Sequence, residues 1–110
     1  RIVFNKINKE IFEALRDGTK KVETRAGTPK YRKIKEGQTV SFSCDGEIFE
    51  KIVRKVSFVD SIKELLTLYV PQDIHPNLTT EEEIVSMYHS FPGYEEKIKK
   101  SGLVAMEFAN

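Results

Sequence analysis

The chain has 110 residues, a net charge of +1, 39% hydrophobic residues and 32% charged residues, which predicts one globular domain over residues 1–110 rather than a disordered or fibrous protein. No apolar stretch approaches the ~20 residues of a membrane-spanning helix, and residues 1–8 lack the apolar part of a signal peptide, so we expect a cytoplasmic protein with no membrane partner. One cysteine and two distant histidines give neither a disulfide nor the spacing of metal ligands, so we expect no metal and no cofactor.

The first predicted elements are a short strand and an amphipathic helix. The apolar run at residues 2–4 predicts a buried strand. Asn8 suits the N-cap of a helix, and Ile7 can pack onto Phe12 as a hydrophobic staple. The apolar stripe that follows ends before a glycine, which places the helix at residues 9–17.

A strand with one polar face is predicted next, at residues 20–26. Apolar and charged residues alternate there, so Lys21, Glu23 and Arg25 share a face. A glycine and a proline then interrupt the strand, and the stretch that follows to residue 35 is expected to be basic and irregular.

A hairpin is predicted at residues 39–59. Residues 39–44 alternate in the manner of a strand, and the Asp-Gly pair after them predicts a type I′ turn. Residues 47–59 carry apolar side chains at helical spacing as well. The preceding turn and the content of β-branched and aromatic residues nevertheless favour a long strand that contains a bulge.

The second half of the chain predicts short helices and a final strand. A capping box begun by Ser61 starts a helix that ends near residue 70, and a polar loop follows. Another capping box, begun by Thr79 or Thr80, opens a second helix, and a last helical turn follows it. Residues 103–108 form the final strand, which we expect to close the sheet.

Positive charge is concentrated in residues 20–35. This window holds seven basic residues and one acid, a net charge of +6, whereas residues 36–110 have a net charge of −6. Such polarity indicates a positive surface that attracts phosphates, although a solvated basic loop has the same composition. The basic residues are Lys20, Lys21, Arg25, Lys30, Arg32, Lys33 and Lys35.

A sequence motif lies where the predicted helix meets the predicted strand. Gly18, Lys20, Glu23 and Arg25 give the pattern G-x-K-x-x-E-x-R. Further matching residues follow in order, namely Lys35, Glu36, Gly37, Val56, Ser61, Glu64, Leu65, Leu66, Phe91, Pro92, Gly93, Tyr94, Glu95 and the run from Gly102 to Phe108. With these pieces in order over nearly its full length, the chain resembles the ASCH family.

The resemblance implies an α+β fold, a PUA-like mixed β-barrel of about five to six strands with three to four short helices. Relatives of this fold include modules that read RNA, so the resemblance implies an RNA- or nucleotide-binding module with a basic cleft around the motif. Glu23 and Arg25 are close enough to pair, so Glu23 can hold the guanidinium toward a phosphate or a base, or the pair can simply fix the strand to the rim. Whether Lys20 converges with them is left open by its opposite strand parity.

Three further candidate ligand-binding residues follow the motif. Lys30, Tyr31 and Arg32 combine two cations with an aromatic ring, which suits gripping a nucleic-acid backbone and stacking one base. The same residue types are also common on solvated loops. The sequence identifies neither the RNA or nucleotide nor the oligomeric state.

The alternative hypothesis is a small hydrolase acting on a modified nucleoside or RNA, with Lys20 and Glu23 as candidate catalytic residues. Some relatives in the resembled family are amidohydrolases that use a lysine at the position of Lys20, a threonine at that of Glu23 and a downstream glutamate. Here the threonine is replaced, and His75 lies where the glutamate is expected. These departures argue against that amidohydrolase reaction, while acid–base or ribonuclease-like chemistry stays possible.

A third hypothesis is a protein-interaction module that uses Tyr88, Phe91 and Tyr94 as an exposed apolar patch. His75 and His89 are too isolated to nominate for chemistry. Cys44, at an alternating apolar position, is expected to fill the core.

Overall fold

A computed structural model describes residues 2–109, so the outermost positions of the predicted domain, Arg1 and Asn110, lie outside the described residues. The strands are Ile2–Phe4 (β1), Val22–Ala26 (β2), Thr39–Cys44 (β3), Glu47–Val59 (β4) and Leu103–Phe108 (β5). The helices are Lys9–Asp17 (α1), Pro29–Arg32 (α2), Ile62–Leu68 (α3), Pro71–Ile74 (α4), Glu81–Ser90 (α5) and Tyr94–Ser101 (α6), and a 3-10 turn at Lys6–Asn8 precedes α1.

The five strands form one sheet that curls into a half-barrel, with the order β1-β3-β4-β5-β2. β1 pairs with β3 in parallel, and every other pairing among these strands is antiparallel. The α+β fold class is therefore confirmed. The final strand does not close the sheet, because β5 lies inside it between β4 and β2, and the two edges are β1 and β2.

The long strand β4 is confirmed in spite of its helical spacing of apolar residues. Asp45 and Gly46 both have positive φ values, 49° and 85°, as a type I′ turn requires. The first half of β4 pairs with β3 and the second half with β5. The register shifts between Val53 and Lys55, which places the predicted bulge at Arg54 and changes which side chains face inward.

Residues 2–109 contain six α-helices rather than three to four. The two that sequence reasoning did not predict, α2 and α4, are single turns in stretches that were expected to be an irregular basic segment and a polar loop. Pro29, which was expected only to interrupt the preceding strand, and Pro71 each lie in the first turn of one of these helices. Proline suits that position because its φ angle is already helical and its missing N–H is not needed there.

The predicted bounds of α1 are confirmed, but its predicted cap and hydrophobic staple are wrong. The side chain of Asn8 makes no capping hydrogen bond, and Ile7 is 89% exposed, so it does not pack onto Phe12. Both residues lie in the 3-10 turn, which leads directly into α1 and replaces the expected cap. The other predicted caps are present, since Ser61 accepts from the Glu64 amide and Thr80, the second of two alternatives, accepts from the Glu83 amide.

Two apolar clusters lie on the two faces of the sheet. The inner cluster packs α1 against the concave face, and it includes Cys44 as predicted. The other cluster packs α3, α4, α5 and α6 against the opposite face, so β5 is covered on both sides. None of the helices in residues 2–109 is long and apolar enough to cross a membrane.

Candidate functional site

A cavity of about 320 Å³ opens between the two edge strands of the half-barrel. One side is formed by Val3 and Phe4 at the end of β1, and the other by the motif strand β2. Helices α5 and α6 supply a third wall of aromatic residues. The lining comprises Val3, Phe4, Asn5, Asn8, Ile11, Lys20, Glu23, Thr24, Arg25, Ile74, His75, Met87, Tyr88, Phe91 and Tyr94.

The alternation of β2 divides the motif between the two faces of the sheet. Glu23 and Arg25 pair with residues of β5 that belong to the inner cluster, so their side chains point to the concave face. Thr24 faces the other way and bonds through its hydroxyl to that of Tyr88 on α5. Lys21 is exposed, so the expected polar face of three residues contains only Glu23 and Arg25 inside the barrel.

Lys20, Glu23 and Arg25 converge in the cavity as one ion cluster. Lys20 Nζ lies 3.6 Å from Glu23 Oε1, and Arg25 Nη2 donates to Glu23 Oε2 at 3.1 Å. Glu23 Oε1 also accepts from the amide of Thr24 at 3.1 Å. The predicted pairing of Glu23 with Arg25 is present. Lys20, whose position the sequence left open, lies beside the same carboxylate.

Lys20 is the most deeply held member of this cluster. Its Nζ donates to the backbone oxygen of Val22 at 2.7 Å and to that of Ile74, in addition to its contact with Glu23. Desolvation lowers the pKa of Lys20, and the nearby Glu23 carboxylate offsets only part of that effect. With three acceptors around it, Lys20 joins the start of β2 to the end of α4 and fixes Glu23.

Arg25 is the cation that reaches the mouth of the cavity, with 23% of its side chain exposed. Its guanidinium carbon lies 5.4 Å from the centre of the Phe4 ring and 5.9 Å from that of Tyr31. Burial disfavours the charged form of Arg25, but the combined influence of Glu23 and Tyr31 is larger and raises its pKa. Glu23 and two rings therefore fix the guanidinium beside the opening.

The aromatic wall comes from Tyr88, Phe91 and Tyr94. Tyr88 and Tyr94 are stacked with ring centres 6.3 Å apart and nearly parallel planes, and Phe91 meets Tyr94 edge to face at 5.3 Å. Tyr94 is also tied to the motif strand, because its hydroxyl accepts from the amide of Ala26 at 3.4 Å. Tyr88 is buried and Tyr94 is half-buried, whereas Phe91 is 39% exposed. A single exposed ring does not make the apolar patch of an interaction module, and all three rings line the cavity.

Sequence reasoning missed several lining residues. His75, which was not nominated, lies in the cavity, where burial and then the nearby Lys20 lower its pKa. Met87 and Thr24 were also missed. For the aromatic wall, the available signal was the spacing of three residues between Tyr88, Phe91 and Tyr94, but only the packing of α5 and α6 on β2 shows which cavity these rings line.

The other predicted ligand residues lie on α2, outside the cavity lining. Tyr31 is half-buried and contacts both Arg25 and Lys30, whose Nζ is 5.3 Å from its ring centre. Arg32 donates to the backbone oxygens of Gly27 at 2.7 Å and Ser101 at 2.6 Å. The structure therefore brings Lys20, Glu23 and Arg25 together and places the α2 residues beside them on the rim. Among the described residues, no group of three or more acidic, histidine or cysteine side chains has the arrangement of a metal site.

The fold and the site define a five-stranded α+β half-barrel of the PUA-like type with a motif-lined opening between its edge strands. The chain belongs to the ASCH family, because the model of the ASCH domain matches residues 6–110. ASCH domains are generally regarded as RNA-binding PUA-like domains.

Two solved structures are similar over almost their full length. The crystal structure of hypothetical protein PH0355 has a TM-score of 0.80 and 30% identity, covering 98% of this chain and 97% of that one. The solution NMR structure of protein PF0455 from Pyrococcus furiosus has a TM-score of 0.74 and 29% identity, covering 97% and 94%. Comparison with curated proteins gives no match.

Proposed function

We propose that this protein binds RNA or a nucleotide by taking one unpaired base into the cavity between β1 and β2. The observation that carries the proposal is that Arg25 and a wall of aromatic rings face the same opening. Aromatic side chains stack unpaired bases, and an arginine beside them supplies hydrogen bonds to a phosphate or a base edge.

The size of the cavity favours a single nucleotide unit. A volume of about 320 Å³ lies at the lower end of the range of about 300–1,000 Å³ that is typical of small-molecule sites. A flipped or single-stranded base suits such a space, whereas a base pair within a duplex does not enter it. RNA binding would therefore require an unpaired nucleotide.

The ion cluster suits a positioning role around Arg25. Both oxygens of Glu23 are engaged, one by Arg25 and the other by Lys20 and the Thr24 amide. Glu23 therefore acts as the fixed partner that orients the guanidinium, and the cation presented to a ligand is Arg25. The remaining positive charge of residues 20–35 lies outside the cavity lining and adds attraction for phosphates.

The alternative function is hydrolysis of a modified nucleoside or RNA with Lys20 and Glu23 as catalytic residues. The lowered pKa of Lys20 is the direction that acid–base chemistry requires. Its Nζ, however, is surrounded by three acceptors, an arrangement that suits a protonated amine held in place. Binding is therefore better supported. The alternative predicts product from a panel of modified nucleosides and short RNAs, and loss of that product in Lys20→Ala.

An NMR titration tests the binding proposal. We expect uridine monophosphate and unstructured RNA to shift the resonances of Arg25, Phe91 and Tyr94, and we expect the affinity for RNA to fall as salt rises. A self-complementary duplex without unpaired bases is the matched control and should leave these resonances unchanged. Shifts confined to other surfaces, or affinity that does not depend on salt, would contradict the proposal.

A further inference from the structure

A strip of alternating cations and aromatic rings extends from the mouth of the cavity onto α2. Arg25 lies between the rings of Phe4 and Tyr31, at 5.4 Å and 5.9 Å from their centres. Lys30 follows, with its Nζ 5.3 Å from the centre of the Tyr31 ring. The first part of the strip therefore leads from the edge of the cavity to the exposed side chain of Lys30 on α2.

The strip continues on the other side of α2 with Arg32 and Phe58. The guanidinium carbon of Arg32 lies 5.2 Å from the centre of the Phe58 ring, and its two bonds to Gly27 and Ser101 hold it there. A Cβ atom on Gly27 would come within 2.3 Å of the Ser101 oxygen and 3.1 Å of the guanidinium, so only glycine leaves room for this arrangement. Phe58 is 50% exposed despite its size.

The register of the sheet shows that the two parts are neighbours. Arg25 and Phe58 both pair with Val104, from opposite sides of β5, so the three side chains share one face. Two strand spacings separate β2 from β4, about 9–10 Å. α2 crosses this distance, with Tyr31 near Arg25 and Arg32 near Phe58.

This arrangement has the chemistry of a surface for single-stranded nucleic acid. An exposed ring stacks a base with little sequence preference, and neighbouring cations contact the phosphates. Of the three rings in the strip, Phe4 is buried, Tyr31 is half-buried and Phe58 is exposed. α2 contains no acidic residue, and it lies in the window whose net charge is +6. Phe58 supplies an exposed ring at the far end of the strip, and this ring is absent from the cavity lining.

We propose that α2 and Phe58 form a second RNA-binding surface, continuous with the cavity, so that the ligand is a single strand of more than one nucleotide. This inference rests on the proposed function, since the base in the cavity anchors the strand. The neighbouring nucleotide then lies over α2, where Lys30 and Arg32 contact its phosphates and Phe58 stacks its base.

Affinities for ligands of different length test the inference. We expect an unstructured oligouridine to bind at least about tenfold more tightly than uridine monophosphate, as one further stacked base allows. Phe58→Ala should weaken oligouridine binding about tenfold and leave monophosphate binding unchanged, whereas Phe58→Tyr should keep both. Leu68→Ala is the matched control, because Leu68 on α3 is similarly exposed at 52%, and it should change neither affinity.

The outcomes separate the inference from the function on which it rests. Equal affinities for both ligands would overturn the second surface and leave the cavity proposal intact. The same holds if Phe58→Ala leaves the ratio of the oligouridine affinity to the monophosphate affinity unchanged. Oligouridine binding that depends on Phe58 while no resonance of the cavity shifts would overturn the cavity proposal and, with it, a surface continuous with the cavity. Absence of binding to either ligand would overturn both.

Discussion

The guanidinium of Arg25 on β2 lies over the ring of Phe4 on β1, and the two residues belong to opposite edges of one sheet. In a closed barrel these edges would be joined by a ladder of backbone hydrogen bonds. Here a side-chain contact spans the gap between the edges, and residues of α4, α5 and α6 line the cavity beside it. The free edges thus frame a cavity instead of exposing a strand to another chain.

Replacing Arg25 should reduce RNA binding more than replacing an arginine that is exposed and distant from the cavity. Arg25→Ala removes a side chain that makes both the ion pair with Glu23 and the contact with Phe4. Hydrogen bonds to charged groups contribute about 1.5–3 kcal/mol, so we expect the affinity for RNA to fall tenfold or more. The dependence of the logarithm of the affinity on the logarithm of the salt concentration should also become less steep. Fluorescence anisotropy with labelled RNA at several salt concentrations measures both.

Arg54→Ala is the control for Arg25→Ala. Arg54 lies exposed at the bulge of β4, so its removal changes the net charge equally without touching the cavity. Equal losses in the two variants would show that binding depends on overall charge alone. Arg25→Lys should also bind weakly, because lysine keeps the charge but lacks the planar fork.

Lys20 and Glu23 should be strongly coupled in stability. Lys20→Met or Glu23→Gln alone leaves a buried charge without its partner, which typically lowers the free energy of unfolding by about 3–5 kcal/mol. Arg25 and the Thr24 amide still hold Glu23 in Lys20→Met, so we expect the milder end of this range there. The double variant Lys20→Met, Glu23→Gln should lose less than the sum of its parts, as urea denaturation of all four proteins can measure. Additivity within about 0.5 kcal/mol would indicate that the two groups do not interact.

The hydroxyl pair of Thr24 and Tyr88 should stabilise the contact of β2 with α5. Both groups are buried and bond to each other, and burial raises the pKa of Tyr88, so its hydroxyl stays protonated at neutral pH. Tyr88→Phe leaves the Thr24 hydroxyl unpaired and should cost about 1–3 kcal/mol in the free energy of unfolding. Adding Thr24→Val removes the unpaired group and should restore part of that loss. A double variant that is less stable than Tyr88→Phe would show that the hydroxyl pair is not the source of the effect.

Local chemistry made part of this structure predictable. The pair Asp45 and Gly46 predicted correctly that β4 is a strand, although its apolar spacing was helical. These two residue types tolerate the two positive φ values that a type I′ hairpin turn requires. Strand parity likewise predicted that Glu23 and Arg25 would pair. Lys20 could not be placed this way, because it precedes the strand and its side chain turns back to the oxygen of Ile74, which is distant in sequence.

The cavity itself depends on relationships that no local pattern contains. Its position follows from the strand order, in which β1 and β2 remain unpaired with each other. Its aromatic wall follows from the packing of α5 and α6 on β2, so Tyr88 and Tyr94 were interpreted as a possible surface patch. Both features depend on contacts between residues that are distant in sequence. The three members of the ion cluster, in contrast, fall within six consecutive residues, from the turn before β2 into β2 itself.

The stability of the protein should fall at mildly acidic pH in a way that depends on His75. Burial and then Lys20 lower the pKa of His75 below its ordinary value of 6.5, with Glu10 acting in the opposite direction. As the pH falls below 6.5, the unfolded chain therefore binds the proton first, and the free energy of unfolding decreases until the pH passes the pKa of the folded protein. Below that point His75 is protonated in both states, and its contribution to the pH dependence of stability is constant.

His75→Gln should remove this part of the pH dependence, and His89→Gln, a change at an exposed position on α5, controls for the substitution itself. Thermal unfolding of the three proteins between pH 7.5 and about 4.5 measures the difference, and a stability difference between wild type and His75→Gln that stays constant over this interval would contradict the prediction.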